Sequence, residues 1–170
     1  MTVTVAPELG YIGHIRDSAM SGRTVYDQYI FSEVSGGQLG RTFIVHFESA
    51  VPSTDFTFDY PRHTMVRIGR HEYLHQSWPI ENWTLFQSEP MTKLLRKCAV
   101  SAPSRWLVNR YVRPVGKDKH AEIILFYLEA AGELPAAVPD LGLGGSRRPL
   151  WEPIAAALAT RASSVFAIED

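Results

Sequence analysis

The strongest constraint on the fold is a pair of β-type segments on either side of a glycine-rich turn. Residues 24–34 (TVYDQYIFSEV) and 41–49 (RTFIVHFES) are rich in β-branched and aromatic residues, which favour strands. Between them lies SGGQLG, and its two adjacent glycines can adopt the positive φ angles of a tight turn. The sequence therefore predicts an antiparallel β-hairpin here.

Alternation along the second of these strands predicts two different environments for its two faces. Phe43, Val45 and Phe47 fall on one side, whereas the other side includes His46 and Glu48. Successive side chains of a strand point to opposite faces of the sheet. We therefore expect one face to lie on the core and the other to carry polar groups.

Three further segments predict strands. Residues 56–60 (FTFDY) alternate in the same way and end at Pro61. Residues 104–114 and 121–130 predict a second hairpin. The segment 121–130 is apolar on both faces, which predicts a central strand.

Two helices are predicted. The first lies near residues 89–99, where Ser88 can cap the helix and Pro90 fits its first turn. An apolar stripe follows at helical spacing, made of Met91, Leu94, Leu95 and Cys98.

The C-terminal region has a different character. Residues 131–149 are dominated by Pro and Gly and predict a linker or extended arm. Residues 150–170 contain the second helix and a tail. Its apolar stripe must be covered, either by its own sheet or by another subunit. The stripe is formed by Trp151, Ile154, Ala155, Leu158 and Ala162.

These elements predict an α+β fold. We expect a strongly curved antiparallel β-sheet or partly closed barrel, with one covering helix and a C-terminal helix. The 170 residues would form a β-rich core domain over 1–130, followed by the arm and the C-terminal helix.

Charge and composition exclude several classes of function. The formal net charge of −1 argues against a partner such as nucleic acid, which basic proteins bind. The N-terminus lacks a signal-peptide pattern and no apolar run is long enough to span a bilayer, so we predict a soluble, cytoplasmic protein without membrane attachment. The single cysteine cannot form an internal disulfide.

The segment HEYLH at residues 71–75 spells a zinc-hydrolase motif. On a helix, His71 and His75 would bind Zn and Glu72 would act as the base. The flanking residues instead favour a hairpin, with Gly69 near the turn and Pro79 shortly after the motif. The sequence therefore predicts strands at residues 64–76 and no metal cofactor, with the zinc hydrolase as an alternative.

The polar residues that alternate with aromatic ones along the strands suggest a ligand pocket in the sheet. The candidate ligand-binding residues are His46, Glu48, Asp27, Tyr29, Asn109 and Tyr111. A dense cationic run predicts an anion site at Arg62, His63 and Arg67.

The function predicted from these patterns is binding of an apolar or aromatic small-molecule ligand, either by a binding domain or by a metal-free enzyme. Besides the zinc hydrolase, a second alternative is an assembly subunit. In that alternative, residues 131–170 would contact a partner subunit or a second copy in a homo-oligomer.

Overall fold

The computed structural model describes residues 2–60, 64–82, 88–142 and 144–169. The strands in these ranges are β1 Thr2–Val5, β2 Gly10–Ala19, β3 Thr24–Ser35, β4 Gln38–Ala50, β5 Met65–Ile68, β6 His71–Ile80, β7 Trp106–Val115, β8 Ala121–Ala130 and β9 Phe166–Glu169. The helices are α1 Glu89–Lys97, α2 Val138–Leu141 and α3 Glu152–Ala162. No helix of the described part is both long and apolar enough to cross a membrane.

The predicted α+β class is confirmed. A seven-stranded sheet has the order β2-β3-β4-β8-β7-β6-β5, all antiparallel, and β1 pairs with β9 in a separate two-stranded sheet. Both predicted hairpins form, and Gly36 and Gly37 make the first turn with φ of 57° and 74°. Among the described strands the large sheet has two open edges, so closure into a barrel is not confirmed.

The central position of β8 follows from its two apolar faces. Its odd-numbered side chains Ile123, Leu125 and Tyr127 join one core cluster, whereas Ile124 and Leu128 join clusters on the opposite face. A strand buried on both faces must have strands on both sides and covering elements above and below. We call the two sides the α3 face and the α1 face, after the helices that cover them.

The α3 face is covered by the chain's own C-terminal segment. Trp151, Leu158 and Ala162 are fully buried in the same cluster as the central strands, so of the two alternatives left open by the sequence the helix packs on its own sheet. Phe166 of β9 stacks on Phe43 of β4 at 4.8 Å. Arg161 donates two hydrogen bonds, of 2.7 and 2.8 Å, to the Glu129 carboxylate on β8.

The α1 face is covered at one end by α1, as predicted. The Ser88 hydroxyl accepts a 3.3 Å hydrogen bond from the Met91 amide and caps the helix. Gly13 on β2 makes room for the helix, because an added Cβ would lie 2.6 Å from a methyl carbon of Leu94. The prediction that Cys98 belongs to the buried stripe is wrong, since the helix ends before it and the residue is exposed.

The predicted strand at residues 56–60 is also wrong. This segment has no strand pairing and lies across the α1 face, where Phe58 is buried and its amide donates to the Lys119 carbonyl at 2.9 Å. Both β4 and β8 already have strand partners on each side, so the segment can only lie on top of them. Its aromatic residues alternate with polar ones because the segment covers the sheet with one side and faces away from it with the other. This gives the same sequence pattern as a strand.

Shortening a buried side chain of α3 tests whether this helix is part of the core. Leu158→Ala is expected to lower the free energy of unfolding by about 2–5 kcal/mol, since the buried leucine leaves a cavity against the sheet. Leu150→Ala is the matched control, because Leu150 is exposed and its loss should cost roughly 0.5 kcal/mol or less. Urea denaturation measures both, and equal effects would contradict the packing of α3 on the sheet.

Candidate functional site

A cavity of about 360 Å³ lies on the α1 face, between the sheet and α1. Its apolar walls include Ile44, Met91, Val108, Phe126 and Leu128. Strands β4, β7 and β8 supply four of these side chains at alternate positions, and α1 supplies Met91. Trp78 of β6 adds an aromatic surface.

Polar groups complete the wall of this cavity. Tyr26 and Gln28 come from β3, His46 comes from β4, and Ser88 caps α1. The His46 ring stacks on Tyr26, with the ring centroids 5.0 Å apart and the planes 16° apart. The site therefore combines an apolar chamber with a few polar groups held on rigid strands.

Both ring nitrogens of His46 have hydrogen-bonding partners. Nε2 lies 3.0 Å from Oε2 of Glu48, and Nδ1 lies 2.9 Å from Nε2 of Gln28. A carboxylate only accepts and an amide nitrogen only donates, so we assign the proton to His46 Nε2 and the lone pair to Nδ1. His46 is 7% exposed and Glu48 is 6% exposed.

Glu48 is held as a buried carboxylate. Its Oε1 accepts a hydrogen bond of 2.5 Å from the Thr24 hydroxyl. Burial raises the pKa of Glu48, but the hydrogen bonds from His46 and Thr24 outweigh this effect, so the pKa lies below its ordinary value of 4.5. Glu48 therefore stays ionised beside the imidazole.

A second buried carboxyl group faces Glu48 across the strand pair. Glu122 of β8 is the direct cross-strand partner of Glu48, and it is 3% exposed. Its Oε2 accepts a 2.6 Å hydrogen bond from the Tyr60 hydroxyl. Burial raises the pKa of Glu122 above 4.5, and the nearby Glu48 charge adds to the increase, although Tyr60 and Arg110 act in the opposite direction.

The two glutamates thus have pKa values shifted in opposite directions. Such pairs are common in sites that transfer protons, because one group stays ionised while its neighbour holds a proton more readily. Arg110 of β7 moderates the local negative charge, and its Nη1 donates to the Gln76 side chain at 3.1 Å. The α1 face therefore holds a connected set of titratable groups beside an apolar cavity.

The six residues predicted as one ligand site occupy three different places. His46 and Glu48 belong to the cavity and the network behind it. Asp27 and Tyr29 lie on the opposite face of β3, where Asp27 is 2.7 Å from His14 and Tyr29 stacks on His14 at 4.7 Å.

The remaining pair lies on the α3 face of β7. The Asn109 amide donates to the Tyr111 hydroxyl at 2.7 Å, and the His75 ring stacks on Tyr111 at 5.0 Å. His75 Nε2 is hydrogen-bonded to the Asn109 carbonyl oxygen. This cluster lies in the core of the α3 face and is separate from the cavity.

The predicted anion site is only partly described. Arg62 and His63 lie outside the described residues, and Arg67 is an exposed residue of β5 that pairs across the hairpin with Glu72.

The HEYLH segment is extended, as predicted. Residues 71–75 begin β6, which pairs with β5 across a turn where Gly69 has φ of 60°. Four residue steps along the strand separate His71 from His75 by about 13 Å, whereas one helical turn would bring the two rings together. Within the described ranges no group of three His, Cys, Asp or Glu side chains could hold a metal ion.

Several residues of the site were not predicted from the sequence, among them Thr24, Tyr26, Gln28, Tyr60, Arg110 and Glu122. One signal was present for Glu122, which is a charged residue inside the otherwise apolar run EIILFYL. A buried carboxyl group in a central strand requires partners, and such a residue is a candidate for function. The contact of Tyr60 with Glu122 joins residues far apart in the chain, and no local pattern signals it.

A wider groove of about 640 Å³ lies between α3 and β6. Its charged side chains include Arg148 and Glu152, which pair with each other at 3.2 Å. The cavity beside α1 has the more apolar walls and the buried polar groups, so it is the stronger candidate. Comparisons with protein families, curated proteins and solved structures found no match to the chain.

The two opposed glutamates allow a test of the site's electrostatics. Glu48→Gln is expected to destabilise the protein by roughly 1.5–3 kcal/mol at about pH 7, because hydrogen bonds to a charged acceptor are lost. The lowered pKa of Glu48 means that its stabilisation is present above pH 4.5 and is lost as the pH falls through the folded value. The difference in free energy of unfolding between the wild type and the variant should therefore become smaller in acid.

Glu122→Gln should behave in the opposite way. Its raised pKa means that its favourable contribution is present below pH 4.5 and is lost as the pH rises through the folded value. At about pH 7 the substitution should lower the free energy of unfolding by less than Glu48→Gln does. In acid, the stability of the variant relative to the wild type should be lower than at about pH 7. Urea denaturation across this pH range measures both variants, and parallel pH profiles would refute the assignment.

Proposed function

We propose that this protein binds a small, mainly apolar organic ligand with an aromatic ring in the cavity beside α1, either as a binding domain or as an enzyme. The observation that carries the proposal is the partly open apolar chamber with polar groups at one side. Ligand pockets in proteins have this composition and measure roughly 300–1,000 Å³. At about 360 Å³ the chamber suits a compound at the small end of that range.

The walls suggest how the ligand would be held. Trp78 and Phe126 offer aromatic surfaces on which a ring can pack, and Met91 offers a flexible side chain that adapts to its shape. The Tyr26 hydroxyl and the Gln28 amide can hydrogen-bond to one polar group of the ligand. A ligand with a formal negative charge is disfavoured, because Glu48 stays ionised behind His46.

The proposal is tested with N-phenylnaphthylamine, a neutral aromatic compound whose fluorescence rises in an apolar environment. We expect saturable binding of one molecule per chain with a micromolar Kd. Val108→Phe places a larger side chain into the cavity and should weaken binding by about tenfold or more, which corresponds to at least about 1.4 kcal/mol.

Val25→Phe is the matched control. It is the same substitution on β3, at a side chain that is 37% exposed and is not among those lining the cavity. Its affinity should equal that of the wild type. Failure of the wild-type protein to bind the probe, or equal binding by Val108→Phe, would refute the proposed function.

A further inference from the structure

We propose that His46 is a general base that removes a proton from a ligand in this cavity, and that Glu48 is its positioning residue. The substrate class is a neutral, mainly apolar compound with an acidic C–H bond next to an electron-withdrawing group. This inference rests on the proposed function, since it requires that the cavity admits a ligand.

The first argument is the orientation of the imidazole. Glu48 holds Nε2 at 3.0 Å and is itself held by Thr24 at 2.5 Å, so the ring has one tautomer and one orientation. A base that is oriented by a third group through its other nitrogen is the arrangement of many catalytic histidines. Glu48 also stabilises the imidazolium that forms when the base accepts a proton.

The second argument is the location of the imidazole lone pair. The hydrogen bond from Gln28 identifies Nδ1 as the accepting nitrogen, and both His46 and Gln28 line the cavity. A proton donor on the ligand can take the place of the Gln28 amide at Nδ1. Gln28 is only partly buried, so its side chain has room to turn aside.

The third argument is the surroundings of the base. The charged and titratable groups that act on this region from neighbouring strands include Asp17 on β2, Tyr26 on β3, Arg110 on β7 and Glu122 on β8. Burial raises the pKa of Tyr26, so its hydroxyl stays protonated and can donate to an oxygen that gains negative charge. The apolar walls lower the local polarity, which strengthens these interactions.

The proposed step needs no co-reactant. The proton moves from the ligand carbon to Nδ1, and the electron pair of the C–H bond moves into the electron-withdrawing group. The imidazolium then returns the proton to the same or another carbon, which gives an isomerisation, or the electron pair expels a leaving group, which gives an elimination.

The chain contains a built-in comparison for this assignment. His14 and Asp27 form a similar pair at 2.7 Å on the α3 face, but the pair is solvent-exposed and neither residue is among those lining the cavity. Both histidines contact a carboxylate. Of the two, His46 lines the apolar chamber and His14 does not.

The experiment uses nitrobenzisoxazole, a neutral aromatic carbon acid, with the full-length protein. Removal of its ring C–H proton completes a nitrile with the C–H electron pair, and the electrons of the broken N–O bond form a coloured phenolate. We expect the wild type to accelerate this reaction over imidazole in solution at the same concentration. Deuterium at the reacting carbon should slow it several-fold, and N-phenylnaphthylamine should inhibit it competitively.

Variants then assign the roles. His46→Gln should lower kcat/KM by roughly 100-fold or more, the usual contribution of a general base, while His14→Gln should leave it unchanged. Glu48→Gln should lower kcat by about tenfold with little change in KM, because it affects the orientation of the base and not the binding of substrate. Val108→Phe retains His46 but fills the cavity, so it should also lose activity, and it keeps the test informative if His46→Gln does not fold.

The outcomes separate the two proposals. Binding of N-phenylnaphthylamine without turnover of nitrobenzisoxazole, or turnover without an isotope effect, would overturn the role of His46 and leave the proposed function intact. Full activity of His46→Gln would also overturn the role of His46 as the general base. If the wild type does not bind N-phenylnaphthylamine, the proposed function fails and the inference fails with it.

Discussion

The register of the central strands determines which side chains can act together. Between Thr24 and Ser32 of β3, and throughout the pairings of β4 with β8 and of β8 with β7, every even-numbered residue lies opposite another even-numbered residue, as in Gln28, His46, Ile124 and Val112. The even-numbered residues of these paired stretches therefore share the α1 face, because partners in register point the same way. A shift of one residue in any pairing would move His46 or Glu122 to the opposite face and separate the network.

This constraint explains what the sequence could predict and what it could not. The hairpin turn at Gly36 and Gly37, the central position of β8 and the amphipathic stripes of both long helices follow from local patterns, and all of these were predicted. The candidate ligand residues mixed His46 and Glu48 with the odd-numbered Asp27 and Tyr29. Alternation within one strand is visible in a sequence, but the register between strands depends on the hydrogen-bonded pairing and is not.

Two further differences between prediction and structure also arise from long-range pairing that a local sequence pattern does not show. The segment 56–60 has the alternation of a strand but covers the sheet, and the strands β1 and β9 are short segments from opposite ends of the chain that stabilise each other. The HEYLH segment is the opposite case, because the residues that flank it were sufficient to predict its strand. Pro79 fits that strand because, among the described strands, β5 pairs with β6 only as far as Leu74. Beyond that point a missing N–H on the outer side of β6 removes no ladder hydrogen bond of the described sheet.

The cavity itself follows from a mismatch in length between the sheet and its cover. The 13 residues of β4 extend over about 43 Å, whereas the nine residues of α1 extend over only about 14 Å. The α3 face is covered by a longer helix and the β1–β9 pair, whereas the described covers of the α1 face are α1 at one end and the segment 51–60 at the other. Between these two covers lies the chamber, with His46 at its wall and Glu48 behind it, where burial would otherwise make such groups costly. Polar groups that are fully hydrogen-bonded at a gap in the core satisfy the folded state. The imidazole lone pair accepts from Gln28 at the wall of the cavity, where a donor on a ligand can take the place of that amide.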